Sequence, residues 1–164
     1  MNSVLYCLHN LSQKSHLRRM EKFTQHGDTS CLLHTIAVAY YSIKIAEFFG
    51  IKYKKRDLIR GALLHDYFLY DWHDGEKERR IHGFTHPMTA LRNADRDFDL
   101  TDTERDIIKK HMWPLTISAM PMCREAWIVT MADKWCSLME TFHVHKGHGA
   151  LIEKLRETRE EQKK

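Results

Sequence analysis

Apolar residues recur every three or four positions along most of this chain, which is the spacing of amphipathic helices. The pattern predicts one or two short helices over residues 3 to 24. The clearest helix begins at Thr29 or Ser30, either of which is a good N-cap, and runs to Phe49, with Gly50 as its C′ residue. The stripe expected along one side of it consists of His34, Val38, Tyr41, Ile45 and Phe48.

The middle of the chain alternates between apolar runs and charged breaks. Residues 55 to 66 predict a helix, and the charged residues 71 to 83, with their two glycines, predict a loop or a broken helix. Thr85 is expected to cap the next helix, which then carries Pro87 in its first turn, where proline is tolerated.

The last third of the chain contains the strongest helix-start signal. Thr101 and Glu104 form a capping-box pattern before a helix that ends near His111. A loop marked by two prolines follows, and residues 124 to 140 predict a buried helix. Residues 150 to 164 predict a charged terminal helix or a frayed tail.

Composition agrees with a helical protein. The 164 residues include only seven glycines and three prolines, too few for the many tight turns of a β fold. We therefore expect an all-α, single-domain helical bundle. Its predicted parts are an N-terminal helical segment over 1–25 packed on the domain, a main domain over 26–148 and a charged helix or tail over 149–164.

Other classes of protein are disfavoured by what the sequence lacks. The N-terminal residues show no signal-peptide pattern, and no run approaches the ~18 apolar residues of a membrane span. The four cysteines form no CxxC pair and are expected to be small core residues. The net charge of +4 is modest, without the basic-aromatic interleaving typical of nucleic-acid binding. We expect a cytoplasmic protein without a membrane partner.

Histidine is the unusual component, with twelve in the chain. Several ligand-type residues stand in apolar surroundings, which is costly for a polar group. Asp133 lies within the apolar run 128–135, where an unpaired carboxylate would cost several kcal/mol. The pair His65-Asp66 directly follows Gly-Ala-Leu-Leu at 61–64. A single buried histidine is more often a hydrogen-bonded core residue than a ligand, but six such residues on helices that must pack together favour a metal site. They are His34, His65, Asp66, His86, His111 and Asp133.

The residue types of this set define the metal that fits it. Imidazole and carboxylate groups without thiolates suit a divalent transition metal, namely Fe, Mn, Co, Ni or Zn. Such an ion lowers the pKa of a bound water from 15.7 to about 7. The set therefore predicts one or two divalent transition-metal ions per chain.

The order of His34, His65-Asp66 and Asp133 resembles the HD superfamily of metal-dependent phosphohydrolases. The surroundings are also similar to that family's motifs, in particular Gly-Ala-Leu-Leu-His-Asp at 61–66 and Val-Thr-Met-Ala-Asp at 129–133. The resemblance covers roughly residues 26 to 140 and implies an HD-type helical bundle.

The additional His86-Pro87 and His111 resemble the HD proteins that have six ligands and two metals. That subset includes symmetrical diadenosine tetraphosphate hydrolases, HD-GYP phosphodiesterases and diiron oxygenases similar to myo-inositol oxygenase. The chain departs from the HD-GYP pattern, because Met112 follows His111 and no Gly-Tyr-Pro is present. The resemblance implies that Asp66 bridges two metals: His34, His65 and Asp133 complete the first site, and His86 and His111 complete the second. His82 is a rival of His86.

The function implied is phosphoester hydrolysis of a small phosphorylated metabolite or nucleotide. Asp66 and His65 are the expected catalytic residues at the metals, and Lys134 would neutralise a phosphate unless its side chain points elsewhere. Two alternatives remain open at this stage: a diiron oxygenase with the same ligands, and a non-catalytic HD module that senses a ligand.

Overall fold

A computed structural model describes residues 1–13, 16–26, 29–70 and 76–142, and these residues are mostly helical. A 3-10 helix spans Leu17–Lys22, and the short strands β1 (Thr24–His26) and β2 (Thr29–Ser30) pair in antiparallel fashion. The α-helices are α1 (Asn2–Ser12), α2 (Cys31–Phe48), α3 (Lys55–Leu64), α4 (Glu76–Asp97), α5 (Asp102–Lys110) and α6 (Arg124–Thr141). The predicted all-α, single-domain fold is confirmed.

The core lies where α2, α3 and α6 pack together, with α5 covering α3 and α6 and α4 lying against α5. Buried side chains such as Val38, Leu63 and Val129 fill the space between these helices. Cys31 and Cys136 are buried free thiols, and the other two cysteines are partly buried. Within the described residues, no helix combines the length and the apolar character needed to cross a membrane. The predicted tail over 149–164 lies outside the described residues.

Helix α2 follows its prediction at both ends, with one correction to its stripe. Of the two predicted N-cap candidates, Ser30 is the N-cap and accepts a hydrogen bond from the Leu33 amide at 3.3 Å. Gly50 adopts the left-handed conformation (φ +62°) that suits a C′ glycine. The predicted stripe fails at Phe48, which is 84% exposed, because the last turn of α2 lies at the surface.

Residues 71 to 83 were predicted to form a loop or a broken helix, and the loop alternative is wrong for residues 76–83, which form the first two turns of α4. Residues 71–75 lie outside the described part of the chain. Thr85 is not an N-cap and Pro87 is interior to the helix, so one backbone hydrogen bond of α4 is missing there. Gly83 is a packing position rather than a break, since an added Cβ would come within 2.9 Å of the Leu115 side chain.

The predicted start of α5 is confirmed in detail. The Thr101 hydroxyl accepts from the Glu104 amide at 3.2 Å, and the Glu104 carboxylate accepts from the Thr101 amide at 3.1 Å. Glu104 is buried and also accepts from Arg60 at 2.6 Å, so the capping box ties α5 to α3.

Close contact between α3 and α5 depends on a glycine. A Cβ at Gly61 would lie 2.5 Å from the Cδ1 of Ile107, so only glycine permits this approach. His65 lies four residues after Gly61, and His111 lies four residues after Ile107. The contact therefore lies about one helical turn from both histidines.

The helix predicted to be buried at 124–140 is buried on one face only. Val129 and Asp133 face inward, whereas Met131, Trp135 and Leu138 are about half exposed. Apolar residues on both faces conceal the helical period, which is why the sequence pattern indicated burial on all sides.

Candidate metal centre

Six side chains converge between the helices, and every one of them is at most 4% exposed. They come from the first turn of α2, the ends of α3 and α5, the middle of α4 and the middle of α6. They are the six residues selected from the sequence: His34, His65, Asp66, His86, His111 and Asp133. Overlapping groups of three have ligand atoms that lie within 4.8 Å of one another.

Asp66 lies at the middle of the cluster, and its two oxygens face different histidines. Its Oδ2 is 3.3 Å from the Nε2 of His65 and 3.8 Å from the Nε2 of His34. Its Oδ1 is 3.2 Å from the Nε2 of His86 and 3.5 Å from the Nε2 of His111. A single carboxylate thus divides the imidazoles into two pairs.

Asp133 belongs to the side of the cluster that contains His34 and His65. Its Oδ1 is 3.2 Å from the Nε2 of His34 and 3.7 Å from the Nε2 of His65. Its Oδ2 is 2.7 Å from the Nζ of Lys134, and the hydroxyl of Ser137 donates to Oδ1 at 3.3 Å. We call His34, His65 and Asp133 the α6-side half of the centre, and His86 and His111 the α4-side half.

Two of the histidine rings are oriented by hydrogen bonds from Nδ1, the ring nitrogen opposite the Nε2 that faces the cluster. The Nδ1 of His65 donates to the carbonyl of Ala62 at 2.7 Å, and the Nδ1 of His111 donates to the carbonyl of Ile108 at 2.9 Å. Since a carbonyl can only accept, the proton of each neutral ring is on Nδ1 and the lone pair is on Nε2. Nε2 of His65 is buried and makes no hydrogen bond within the described part of the chain, as suits a metal ligand.

The α4-side half also has the geometry of a ligand pair. The Nε2 atoms of His86 and His111 lie 2.8 Å apart. Two nitrogens that bind one ion at ~2.05 Å would be separated by about 2.9 Å at the right angle of an octahedral shell and by about 3.3 Å at the tetrahedral angle. The donor set of imidazoles and carboxylates, its burial and this separation all fit divalent transition metals.

The electrostatics show that the cluster favours positive charge. Burial lowers the pKa of His34 and His65, but the neighbouring carboxylates outweigh burial and raise the values to about 9 and about 10. Burial would raise the pKa of Asp66 and Asp133, yet the histidines around them hold both well below the usual range. For His111, burial and the neighbouring His65 and His86 lower the pKa well below its usual value.

Lys134 lies at the rim of the centre, with its side chain 42% exposed. Besides Asp133, its Nζ contacts the carbonyl of His111 at 3.2 Å and the sulfur of Met112 at 3.8 Å. The side chain therefore points to the centre and spans its two halves. His86 is part of the cluster, whereas the side chain of its rival, His82, lies outside the description.

Sequence reasoning missed Glu140, which is fully buried. Its Oε2 is 2.9 Å from the Nδ1 of His34. The available signal was its spacing, because Glu140 follows Asp133 by seven residues, or two helical turns, and so lies on the same face of α6.

Comparison with known proteins gives one family. The family model of the HD domain matches residues 32–137, which is more than half of the chain and includes all six clustered residues. No curated protein and no solved structure matches the chain.

Proposed function

We propose that this chain, which belongs to the HD domain family, hydrolyses a phosphoester of a small phosphorylated metabolite or nucleotide. Family membership makes the protein a metal-dependent hydrolase that binds divalent metal. The proposal adds the substrate class, a pair of metal ions drawn from Fe, Mn, Co, Ni and Zn, and the residues that hold them.

The position of Asp66 carries the proposal. Its Oδ2 faces His65 and its Oδ1 faces His86, as expected for a carboxylate that bridges two ions. One ion would be held by His34, His65, Asp66 and Asp133. The other would be held by Asp66, His86 and His111.

The buried charge of the centre fits bound metal. Asp66, Asp133 and Glu140 are buried carboxylates; within the described residues Lys134 contacts Asp133, and His34 contacts both Asp133 and Glu140. Buried charges without compensation are strongly destabilising. Without metal, the carboxylates raise the pKa of His34 and His65, so that protons on these rings compensate them; divalent ions would replace those protons.

Divalent ions held by these residues would supply Lewis acidity, which lowers the pKa of a bound water from 15.7 to about 7. The protein's own contribution is placement. The backbone carbonyls of Ala62 and Ile108 hold the rings of His65 and His111, and burial keeps bulk water out. Lys134, at the rim, is placed to receive an anionic phosphate oxygen beside Asp133.

The positive charge of Lys134 favours a phosphorylated substrate over the substrate of an oxygenase. Hydrolysis requires only Lewis acidity, whereas oxygenation requires iron that changes valence and binds O₂. The two chemistries therefore differ in their response to oxygen and to a redox-inert metal, although they would use the same ligands.

The test is an anaerobic screen. Protein purified without added metal is first analysed for Fe, Mn, Co, Ni and Zn, and is then assayed with phosphorylated metabolites and nucleotides under strict anaerobiosis, with Mn in place of iron. We expect at least one tightly bound ion and release of phosphate or nucleotide without oxygen. Protein that contains no metal and takes none up would overturn the metal centre, and activity that needs both O₂ and iron would identify an oxygenase.

A further inference from the structure

Glu140 and Asp133 of α6 contact opposite ends of the same imidazole. Glu140 Oε2 lies 2.9 Å from the Nδ1 of His34, and Asp133 Oδ1 lies 3.2 Å from the Nε2 of that ring. The three side chains are buried, so no bulk water competes for these contacts. One helix therefore fixes His34 from both sides.

This arrangement differs from that of the other oriented rings. The Nδ1 atoms of His65 and His111 donate to neutral backbone carbonyls, whereas the Nδ1 of His34 faces a carboxylate. A carboxylate behind a metal-ligating imidazole makes the ring a stronger electron donor and fixes its orientation. Removal of such a partner typically weakens metal binding by 10–100-fold.

We propose that Glu140 is a positioning residue that acts through His34 and makes the α6-side half of the centre the tighter of two unequal metal sites. The inference rests on the proposed dinuclear centre and adds the order in which the sites fill. The first ion enters the α6-side half, which has Glu140 behind it. The second ion enters the α4-side half, where His111 is backed by a carbonyl.

A purely structural role predicts a different outcome. If Glu140 only joins α6 to α2, its replacement lowers the stability of the protein and leaves the relative affinities of the two sites unchanged. Glu140→Gln is informative because the amide oxygen can still accept the Nδ1 proton while the negative charge is removed. Glu140→Ala removes both the charge and the hydrogen bond.

The same helix offers a matched control. Glu125 is also a buried glutamate of α6, and its Oε1 accepts a hydrogen bond from the Lys54 amide at 2.8 Å, away from the centre. Glu125→Gln therefore makes the same chemical change at a buried site of α6 that has no contact with His34.

The experiment is a Co²⁺ titration of the full chain after removal of metal with a chelator. Visible absorption and chelator competition measure the affinities for the first and second equivalents, and circular dichroism records the helix content of each variant. We expect Glu140→Ala to weaken binding of the first equivalent by 10–100-fold, which is the usual effect of losing such a partner. Glu140→Gln should give a smaller loss, and Glu125→Gln should bind as the wild type does.

The outcomes separate this inference from the proposed function. Wild-type protein that takes up no Co²⁺ overturns both. If the wild type takes up two equivalents and both Glu140 variants bind the first as tightly as the wild type, the inference is wrong while the dinuclear centre stands. Should Glu140→Ala fail to fold, Glu140→Gln decides the question alone.

Discussion

The two halves of the centre are supported by different parts of the protein. On the α6 side, Glu140 and Lys134 contact His34 and Asp133, so charged side chains set the position and charge of the ligands. On the α4 side, the Nδ1 of His111 is held by a backbone carbonyl, and the ring of His86 packs against Phe68 at 5.8 Å between centroids. His34 and Asp133 can therefore be tuned by substituting single side chains, whereas the rings of His65 and His111, which are both held by backbone carbonyls, take their positions from how the helices pack.

Removing Asp66, the proposed bridge between the two ions, should abolish the difference between the halves. We expect Asp66→Ala to lose both ions and to lower phosphoesterase activity by more than about 100-fold, because even a residue behind a ligand is worth 10–100-fold. Metal analysis and activity assays measure this, and circular dichroism should show that most of the helix remains. Activity close to that of the wild type would mean that Asp66 is not the bridging ligand.

Removing one ligand from the α4-side half should reduce the metal content of that half and leave the ion of the α6-side half bound. His86→Ala is expected to leave one tightly bound ion per chain, because His34, His65, Asp66 and Asp133 remain. Elemental analysis after dialysis should give about half of the wild-type metal content. The matched change His34→Ala should instead weaken binding of the tighter ion, and equal losses in the two variants would contradict the proposed division.

Lys134 contacts both halves, through the Asp133 carboxylate and the His111 carbonyl. We expect Lys134→Gln to lower kcat/KM for a phosphorylated substrate by about tenfold, since a hydrogen bond to a charged group contributes roughly 1.5–3 kcal/mol. Metal content should change little. Steady-state kinetics test this, and an unchanged kcat/KM would assign Lys134 a purely structural role.

Gly61→Ala tests the close contact between α3 and α5, the two helices that end at His65 and His111. The added methyl group would meet Ile107 at 2.5 Å, and overpacking of this kind costs roughly 1–3 kcal/mol of unfolding free energy. Thermal or urea unfolding measures the loss. The double variant with Ile107→Val, which removes the Cδ1 atom, should recover part of it. If there is no recovery, the Gly61–Ile107 contact is not the cause.

The smallest expected effect is a change in stability at Asp97, which lies outside both halves of the centre. Asp97 accepts hydrogen bonds from Arg96 and from the Tyr67 hydroxyl, and these contacts hold the pKa of its carboxyl well below the usual range. A depressed pKa in the folded state contributes stability above the unfolded pKa of about 3.9, and that stability is lost as the pH falls below it. Asp97→Asn should therefore cost about 1 kcal/mol or less at pH 7, because Arg96 is exposed.

Urea unfolding at pH 7 and pH 3 tests this prediction, and the difference between the variant and the wild type should shrink at the lower pH. The metal content of Asp97→Asn should equal that of the wild type at pH 7. A difference in stability that grows as the pH falls would contradict the assignment.

Local anomalies in the sequence explain why so much of the centre was predictable. Asp133 within an apolar run and His65-Asp66 after Gly-Ala-Leu-Leu stand out because a buried polar group must be compensated. The capping box at Thr101 and the C′ glycine at Gly50 are equally local signals, and the structure has both. Ligand-type residues in apolar surroundings therefore indicate a candidate site without any knowledge of the tertiary structure.

The features that were missed depend on contacts between distant segments. Glu140 lies in the last turn of α6, and beyond its spacing from Asp133 it is the contact with His34, 106 residues away, that gives it a role. Pro87 was expected in a first turn because a proline usually marks one, yet α4 continues on both sides of it. In such cases tertiary packing overrides local preference.

The Gly61–Ile107 contact also constrains how this protein can diverge in evolution. A lineage that replaces Gly61 with any larger residue must accept a smaller residue at position 107 or move α3 away from α5. The second route would separate His65 from His111, whose ring centroids are 4.8 Å apart. Substitutions at these two positions should therefore be inherited together, even though neither residue is among the six of the centre.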